Sequence, residues 1–298
     1  MSDINSAVVV GAGTMGHGIA HVLALAGIDV TLVDVKQELV DAGLAKVRAN
    51  MDGGVAKGKL EASARDTALA HLHGAITRDA LASADLLVEA IPENMAWKRD
   101  LFRDADERMK AGALLASNTS SLSISEIASA TKRPGDVVGL HFFNPVHIMK
   151  LLEIVRGALT SEATLARARA LAERIGKTVI VANDMPGFAT SRLGVSLGLE
   201  AARMLEEGVA SAADIDTAMK LGYGHPMGPL ALGDLVGLDV RLAIATGMAE
   251  ELGERFRPPR ILKRLVQMGH LGKKAGRGFY SYNDKGEPTG ENPAARLR

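Results

Sequence analysis

A glycine-rich turn between two apolar runs restricts the fold of this chain more than any other feature. Residues 7–10 lead directly into Gly11-Ala12-Gly13-Thr14-Met15-Gly16, and a second apolar run, residues 30–33, ends at Asp34. In such a pattern the first glycine permits a tight turn, the second lets the backbone approach a pyrophosphate, and the third allows the helix to pack against the strand. The spacing predicts a strand, a turn and a helix that bind the phosphates of a dinucleotide.

Asp34 indicates which dinucleotide is bound. It lies 23 residues after Gly11, where a carboxylate can hydrogen-bond the 2′-hydroxyl of the adenosine ribose. The same charge would repel a 2′-phosphate, so the expected cofactor is NAD rather than NADP, although Lys36 lies close by. The alternatives are a glycine turn that binds no nucleotide and a site for S-adenosylmethionine or a flavin; the full spacing fits NAD better.

Short apolar runs alternate with helical patterns up to about residue 180. The runs are residues 7–10, 30–33, 86–91, 114–117, 137–143, 151–155 and 178–181. Continuous apolar strands between helices are typical of a sheet that is covered on both faces. We therefore predict an α/β fold with a Rossmann-like, doubly wound sheet.

The pattern changes after Asp184. Met185-Pro186-Gly187 interrupts it, and the remaining chain reads as helices separated by glycine-rich segments, with a polar tail from Asn283. We predict a nucleotide-binding domain over residues 1–184 and an all-helical C-terminal domain over residues 185–298, with a loosely ordered tail.

Composition argues against several classes of function. Lys and Arg together number 35, as do Asp and Glu, whereas a nucleic-acid or anionic-membrane binder normally carries a basic excess. There is no cysteine, which excludes disulfides and thiolate chemistry. No apolar run reaches the roughly 18 residues of a membrane span, and the polar first residues do not resemble a signal or transit peptide. We expect a cytoplasmic protein that binds neither nucleic acid, membrane nor metal.

His141 is the strongest candidate for a general base. It lies late on an apolar run, and open α/β sheets place their chemistry at such strand ends. Glu153 interrupts the run at residues 151–155, and a carboxylate there needs a partner. If residues 144–150 make a reversal, His141 lies opposite Glu153, roughly 5 Å away at Cβ. Such a pair suits proton transfer at neutral pH, or it only closes a hairpin; the geometry alone favours neither.

A polar segment, Ser117-Asn118-Thr119-Ser120-Ser121, follows another apolar run. Because the segment lies at a predicted strand end, its hydroxyls and the Asn118 amide could hydrogen-bond a substrate oxygen or cap the next helix, and Ser120 is the candidate ligand. Ser123, followed by Glu126, matches a capping box and is expected to cap the next helix.

These motifs resemble those of the 3-hydroxyacyl-CoA dehydrogenases, especially the stand-alone bacterial 3-hydroxybutyryl-CoA type. The resemblance covers essentially the whole chain. The matching segments are Gly11–Gly16, Ser117–Ser121, residues 141–145, 149–153 and 186–188, His225-Pro226-Met227-Gly228-Pro229, and residues 272–280.

The resemblance implies a role for each candidate. His141 is the base, Glu153 orients it, and Ser120 and Asn144 contact the substrate. The cofactor is NAD, held by the glycine turn with Met15, Asp34 and Asn118, and by Glu93 and Lys98. Lys57 and Lys59 are the candidates for binding CoA, and the C-terminal domain is implied to form a homodimer.

One position departs from the family pattern. The family usually has Asn four residues after the glycine of Pro-Gly-Phe, and here that position is Ser191. We predict that Ser191 takes over contact with the substrate or nicotinamide; the alternative is that it caps its helix.

The predicted function is NAD-dependent oxidation of a short (S)-3-hydroxyacyl-CoA, or the reverse reaction, within fatty acid metabolism. One alternative is a dehydrogenase of a free hydroxy acid, of the carnitine or gulonate type. Another is a non-catalytic NAD-binding structural protein or sensor, which would not need His141, Glu153 and Ser120 together.

Overall fold

The computed structural model describes residues 4–295. The chain divides into two compact units, Met1–Met185 and Pro186–Arg298. In the first unit the strands are β1 (Ser6–Val10), β2 (Asp29–Val33), β3 (Leu72–Ala75), β4 (Leu86–Glu89), β5 (Leu114–Ser117), β6 (Val137–Phe142), β7 (Leu151–Arg156) and β8 (Thr178–Asn183). The helices of that unit are α1 (Thr14–Leu25), α2 (Gln37–Ala56), α3 (Ala62–Ala70), α4 (Met95–Arg108), α5 (Ile124–Ala128) and α6 (Glu162–Arg174).

The strands of the first unit form one sheet in the order β3-β2-β1-β4-β5-β6-β7-β8. Neighbours from β3 to β6 are parallel, β7 is antiparallel to β6, and β8 is parallel to β7. Every residue of β4, β5 and β6 is buried, because helices cover both faces of the sheet centre. The predicted doubly wound α/β fold is confirmed.

The strand β3 was not predicted from the sequence. Its residues lack the β-branched character of the other strands, and His71-Leu72-His73 reads instead as a solvated helix end. That reading holds for His71, which is the C-cap of α3. It is wrong for His73, which lies on β3 beside Thr31 of β2 and contacts Asp29 at 3.0 Å. Packing explains why β3 has a glycine at position 74: an added Cβ there would lie 2.5 Å from a methyl group of Val40 on α2.

The second unit contains α7 (Thr190–Glu206), α8 (Ala212–Thr217), α9 (Pro229–Val236), α10 (Leu238–Leu252) and α11 (Arg260–Gln267). It also contains a hairpin of β9 (Tyr280–Tyr282) and β10 (Pro288–Glu291), so the prediction of an all-helical segment with a loose tail needs correction there. No helix of the described residues is long and apolar enough to cross a membrane.

A buried carboxylate explains why this hairpin is ordered. Asp234 on α9 is fully buried and accepts hydrogen bonds from the backbone N–H groups of Phe279 and Tyr280. Gly278 is packed so closely against it that an added Cβ would lie 1.9 Å from the Asp234 carboxylate. Burial raises the pKa of Asp234 to about 6, although these hydrogen bonds act to lower it. The glycine-rich motif at residues 272–280 is therefore structural.

The motif at residues 225–229 has a similar explanation. Asp216 on α8 accepts hydrogen bonds from the backbone N–H groups of Leu230 and Ala231, in the first turn of α9. A Cβ at Gly228 would lie 2.2 Å from the Asp216 carboxyl carbon. Asp216 thus caps α9 from another helix, which satisfies N–H groups that a helix start leaves unpaired.

The glycine turn after β1 has the geometry that its sequence predicts. Gly11 has φ of 103°, a backbone conformation that side chains with a Cβ rarely adopt. A Cβ at Gly16 would lie 1.6 Å from the carbonyl oxygen of Gly11. Gly16 therefore lets α1 start directly against the turn as well as against β1.

We expect Gly16→Ala to lower stability by at least the cost of overpacking, about 1–3 kcal/mol, because the added methyl meets backbone that cannot give way. Gly53→Ala is the matched control, since a Cβ there meets nothing within 4 Å inside α2; it should raise stability by up to about 1 kcal/mol. Urea unfolding measures both, and equal stability of the two variants would contradict the packing argument.

Candidate active site

His141 and Glu153 form a buried pair. They lie directly opposite each other on the antiparallel strands β6 and β7, as the sequence predicts. The Nδ1 atom of His141 is 2.8 Å from Oε2 of Glu153, and the two residues are 6% and 0% exposed. A carboxylate at Nδ1 holds the ring orientation and favours the proton on that nitrogen, so that Nε2 is the nitrogen that can take up another proton.

The reversal between these strands is held in place by Lys177. Its ammonium donates hydrogen bonds to the carbonyl oxygens of Val146, at 2.5 Å, and Met149, at 2.6 Å. The Asn144–Pro145 peptide bond is cis, and Asn144 is exposed. The ring of Phe143 lies 4.5 Å from the imidazole of His141. The exposed Asn144 amide and the imidazole therefore lie at the same end of the sheet.

Asn118 connects the neighbouring strand end to His141. Its side-chain oxygen accepts a hydrogen bond of 2.9 Å from the backbone N–H of Phe142, the residue that follows His141. Ser123 accepts a hydrogen bond from the backbone N–H of Glu126, so the predicted helix cap is confirmed. The same hydroxyl donates to Asp184 at 2.8 Å.

A buried ion pair lies next to this segment and was not predicted. Glu89, the last residue of β4, is fully buried and contacts the Lys98 ammonium at 2.6 Å. It also accepts hydrogen bonds from the Ser117 hydroxyl, at 2.5 Å, and from the backbone N–H of Ile91, at 2.8 Å. Burial raises the pKa of Glu89, while the Lys98 ammonium opposes this effect. The sequence signal for this ion pair was Glu89 itself, a carboxylate within an otherwise apolar run.

Glu93 joins the same ion pair to the loop that carries Ser120. Its Oε2 lies 3.1 Å from the Lys98 ammonium, while Oε1 accepts hydrogen bonds from the Thr119 hydroxyl and the Ser120 backbone N–H, at 2.5 and 3.1 Å. Burial acts to raise the pKa of Glu93, but Lys98 and these hydrogen bonds outweigh it and hold the pKa low. Lys98 is 1% exposed, so its ammonium is in contact with the carboxylates of Glu89 and Glu93 rather than with solvent.

The glycine turn leaves room for an anion. A Cβ at Gly13 would meet no atom within 4 Å, and Gly13 directly precedes the first turn of α1, with Met15 in that turn. Unpaired N–H groups at such a helix start attract phosphate oxygens. Asp34 follows β2 and accepts a hydrogen bond of 2.7 Å from the backbone N–H of Ala12. The described residues thus fit the pyrophosphate and ribose of a dinucleotide.

The remaining candidates lie elsewhere. Lys57 ends α2 and Lys59 lies in the turn that follows it; both are exposed. Ser191 belongs to the second unit and lies in the first turn of α7, whose N-cap residue is Ala189, without a side-chain capping hydrogen bond. Ser191 therefore does not occupy the N-cap position of its helix.

Two family models match the chain. The model described as 3-hydroxyacyl-CoA dehydrogenase, NAD binding domain, matches residues 6–185. The model described as 3-hydroxyacyl-CoA dehydrogenase, C-terminal domain, matches residues 187–282.

Individual proteins are similar along nearly their whole length. The probable 3-hydroxybutyryl-CoA dehydrogenase of Bacillus subtilis is 44% identical over 284 residues, which cover 95% of this chain and 99% of the relative. The 3-hydroxybutyryl-CoA dehydrogenase of Mycobacterium tuberculosis is 44% identical over 95% of this chain and 100% of its own length. The crystal structure of (S)-3-hydroxybutyryl-CoA dehydrogenase from Ralstonia eutropha superposes with a TM-score of 0.92 at 40% identity, covering 95% and 100% of the two chains.

We expect Lys98→Met to destabilise the protein by about 3–5 kcal/mol, the usual cost of leaving one member of a buried ion pair unpaired. Arg103→Met is the matched control, because Arg103 forms an exposed pair with Asp100 at 2.8 Å on the same helix; its loss should cost less than about 1 kcal/mol. Urea unfolding compares the two, and a similar loss in both would contradict the assignment of a buried pair at Glu89.

Proposed function

The chain belongs to the 3-hydroxyacyl-CoA dehydrogenase family, and we propose that it interconverts short (S)-3-hydroxyacyl-CoA and 3-oxoacyl-CoA thioesters with His141 as the base. The chain is an NAD-dependent oxidoreductase of this family. The observation that carries the proposal for the base is the buried contact between His141 and Glu153 at 2.8 Å. When bound, NAD supplies the hydride acceptor for alcohol oxidation.

His141 takes the proton of the substrate hydroxyl in this proposal. With Nδ1 held by Glu153, Nε2 is the nitrogen that accepts this proton, and the imidazolium is stabilised by the buried carboxylate. In the reverse direction the same nitrogen returns the proton to the substrate oxygen. Ser120 and Asn144 follow β5 and β6, and they are proposed to hold the substrate oxygen at this edge.

The cofactor site is proposed along the same edge of the sheet. The glycine turn of Gly11, Gly13 and Gly16 receives the pyrophosphate, with Met15 in the first turn of α1, and Asp34 receives the adenosine ribose. Glu93 and Asn118 are proposed to face the nicotinamide end, because their other bonds fix them beside Ser120 and His141. Lys98 is proposed to hold Glu93 in position at the nicotinamide end through their contact.

The CoA and a second copy are proposed to bind elsewhere. Lys57 and Lys59 are exposed cations, which suits the phosphates of CoA.

The second unit exposes large apolar side chains, with Leu221 82% and Tyr223 78% exposed, and exposed apolar surface of this kind is typical of a protein interface. We propose a homodimer formed through this unit, in the cytoplasm and serving fatty acid metabolism.

Substrate comparison tests the proposal against its alternatives. Oxidation of NADH with acetoacetyl-CoA supports the proposed activity. Turnover of free acetoacetate in preference to the thioester would favour a dehydrogenase of a free hydroxy acid. NADH binding without turnover of either compound would favour a non-catalytic NAD-binding protein.

We expect His141→Gln to lower kcat by about 10²–10⁴-fold, the usual contribution of a general base, while NADH binding persists. Glu153→Gln should also lower kcat, because the imidazolium loses a negative partner. His73→Gln is the control, since His73 lies exposed on β3. Steady-state kinetics with acetoacetyl-CoA and NADH titration measure both effects; a kcat of His141→Gln within about threefold of the unmodified enzyme rules out this base.

We expect the enzyme to prefer NADH over NADPH, because the Asp34 carboxylate repels a 2′-phosphate. Asp34→Ala should bring the ratio of kcat/KM for NADH to that for NADPH closer to one, because NADH binds more weakly and NADPH is no longer repelled. Asp41→Ala is the control, since Asp41 lies on the exposed face of α2, where it bonds Gln37. An unchanged cofactor ratio in Asp34→Ala would show that this carboxylate does not face the ribose.

A further inference from the structure

Three histidines of the first unit lie together where the β6–β7 reversal, residues 144–150, meets α1. His17 and His21 are four residues apart on α1, so they share one face of that helix. The ring of His147, in the reversal, is stacked on the ring of His21, with centroids 5.1 Å apart and 8° between their planes. His21 is 3% exposed, whereas His147 is exposed. We call these three residues the histidine cluster.

The cluster contains positive groups without a negative one. The Nδ1 atom of His21 is buried and has no hydrogen-bond partner among residues 4–295. The charged groups that act on His21 are His17 of α1, His147 of the reversal and Lys177 before β8, and no carboxylate of the described residues is among them. Burial and these cations lower the pKa of His21 to about 4, and burial also lowers the pKa of His147. The packed arrangement therefore favours neutral imidazoles.

Proton uptake is the chemistry that remains open to these rings. Within residues 4–295 no group of three or more His, Asp or Glu side chains is placed to hold a metal ion. A proton on the cluster would lie close to Lys177, whose ammonium is held in place by two carbonyl oxygens of the reversal. Each proton bound to the closed cluster would therefore add a cation beside a fixed cation.

The stacked rings join α1 to the reversal at a point of close packing. A Cβ at Gly18, on α1, would lie 2.8 Å from a methyl group of Val146, so this side chain rests directly on the helix backbone. Val146 is buried, but the residues on either side of it in the reversal are exposed. The stack of His147 on His21 thus adds a second contact between α1 and a segment that is otherwise open to solvent.

We propose that the stacked rings of His21 and His147 form a pH-sensitive contact, which holds the reversal against α1 at neutral pH and releases it in acid. The exposed ring of His147 takes up a proton first and is repelled by Lys177. Its departure exposes His21, which then takes up a second proton. Release of the reversal also displaces Asn144. The effect on substrate binding rests on the proposed function, in which Asn144 contacts the substrate; the opening itself does not.

The direction of the effect follows from proton linkage. A group that has a lower pKa in the closed state than in the open state binds more protons when open, so acid favours opening. For His21 the closed state loses stability as the pH falls from 6.5, the ordinary pKa of a histidine, toward 4. Between about pH 8 and pH 5.5, this difference shifts the equilibrium about tenfold toward the open state.

Hydrogen exchange measures the opening without any substrate. The backbone N–H groups of Ile148 and Met149 both donate to the carbonyl oxygen of Pro145, at 3.0 and 2.9 Å, so they are protected while the reversal is closed. We expect their protection factors, corrected for the intrinsic exchange rate at each pH, to fall about tenfold over this range. The N–H of Leu114 is the reference, because it donates to Asp85 within the sheet at 2.9 Å.

Variants that keep a ring but cannot take up a proton separate the proposed role from a purely structural one. His21→Phe retains an aromatic ring in the stack and should remove most of the fall in protection. His147→Phe changes only the exposed ring, so it tests the same point without altering the core. His73→Gln is the control, because His73 is exposed and lies 3.0 Å from a carboxylate, that of Asp29; it should show the full fall.

Three results would overturn the proposal. The first is constant protection of the reversal in the unmodified protein over this pH range. The second is an equal fall in the unmodified protein and in both phenylalanine variants. The third is a parallel fall at Leu114, which would show that acid unfolds the whole unit rather than opening the reversal.

Kinetics measure the consequence for the reaction. Any effect of pH on His141 is common to the unmodified enzyme and to His21→Phe, so the ratio of their kcat/KM values reports the cluster alone. With acetoacetyl-CoA we expect this ratio to be near one at neutral pH and to rise in acid by up to about tenfold in favour of His21→Phe. A constant ratio would overturn the effect on substrate binding. Failure of both proteins to turn over acetoacetyl-CoA would contradict the proposed function, while the exchange experiment would still decide the pH-sensitive contact.

Discussion

The end of the sheet that carries the proposed active site depends on the ion pair between Glu89 and Lys98. Lys98 is almost fully buried, and its charge is stabilised by two carboxylates, Glu89 at 2.6 Å and Glu93 at 3.1 Å, and by the carbonyl oxygen of Ile91 at 3.3 Å. These contacts join the end of β4 to α4, and Glu93 continues them to the backbone of Ser120. A buried charge network of this kind fixes side-chain positions, since moving one member leaves another unpaired. The loop that carries Ser120 is therefore held to the end of β4 and to α4.

A change of strand direction brings together His141 and Glu153, the pair that we propose for proton transfer. In a wholly parallel sheet, successive strands would be joined by long crossovers, and residues twelve apart would not face each other. Here β7 runs antiparallel to β6, so His141 and Glu153 are direct neighbours. The reversal between them stays in place because Lys177 binds two of its carbonyl oxygens. The geometry needed for a base and its orienting carboxylate thus comes from one tight connection.

Buried carboxylates in the second unit stabilise the fold. Asp234 and Asp216 accept backbone hydrogen bonds from segments distant in sequence, and glycines pack against them because a side chain would not fit. Motifs that look functional in the sequence are in these two cases anchors of the fold.

The sequence by itself determined the features that depend on local spacing. Short-range rules predict the Gly11–Gly16 turn, the alternation of apolar strands and helices, and the reversal that places His141 opposite Glu153. Tertiary structure decided what distant residues do together. The edge strand β3 packs closely against α2 at Gly74. The hairpin near Tyr280 is held by a carboxylate of α9, and the Glu89 network joins three segments of the chain. A local pattern alone does not predict these contacts, since each partner is chosen by packing rather than by its neighbours in the chain.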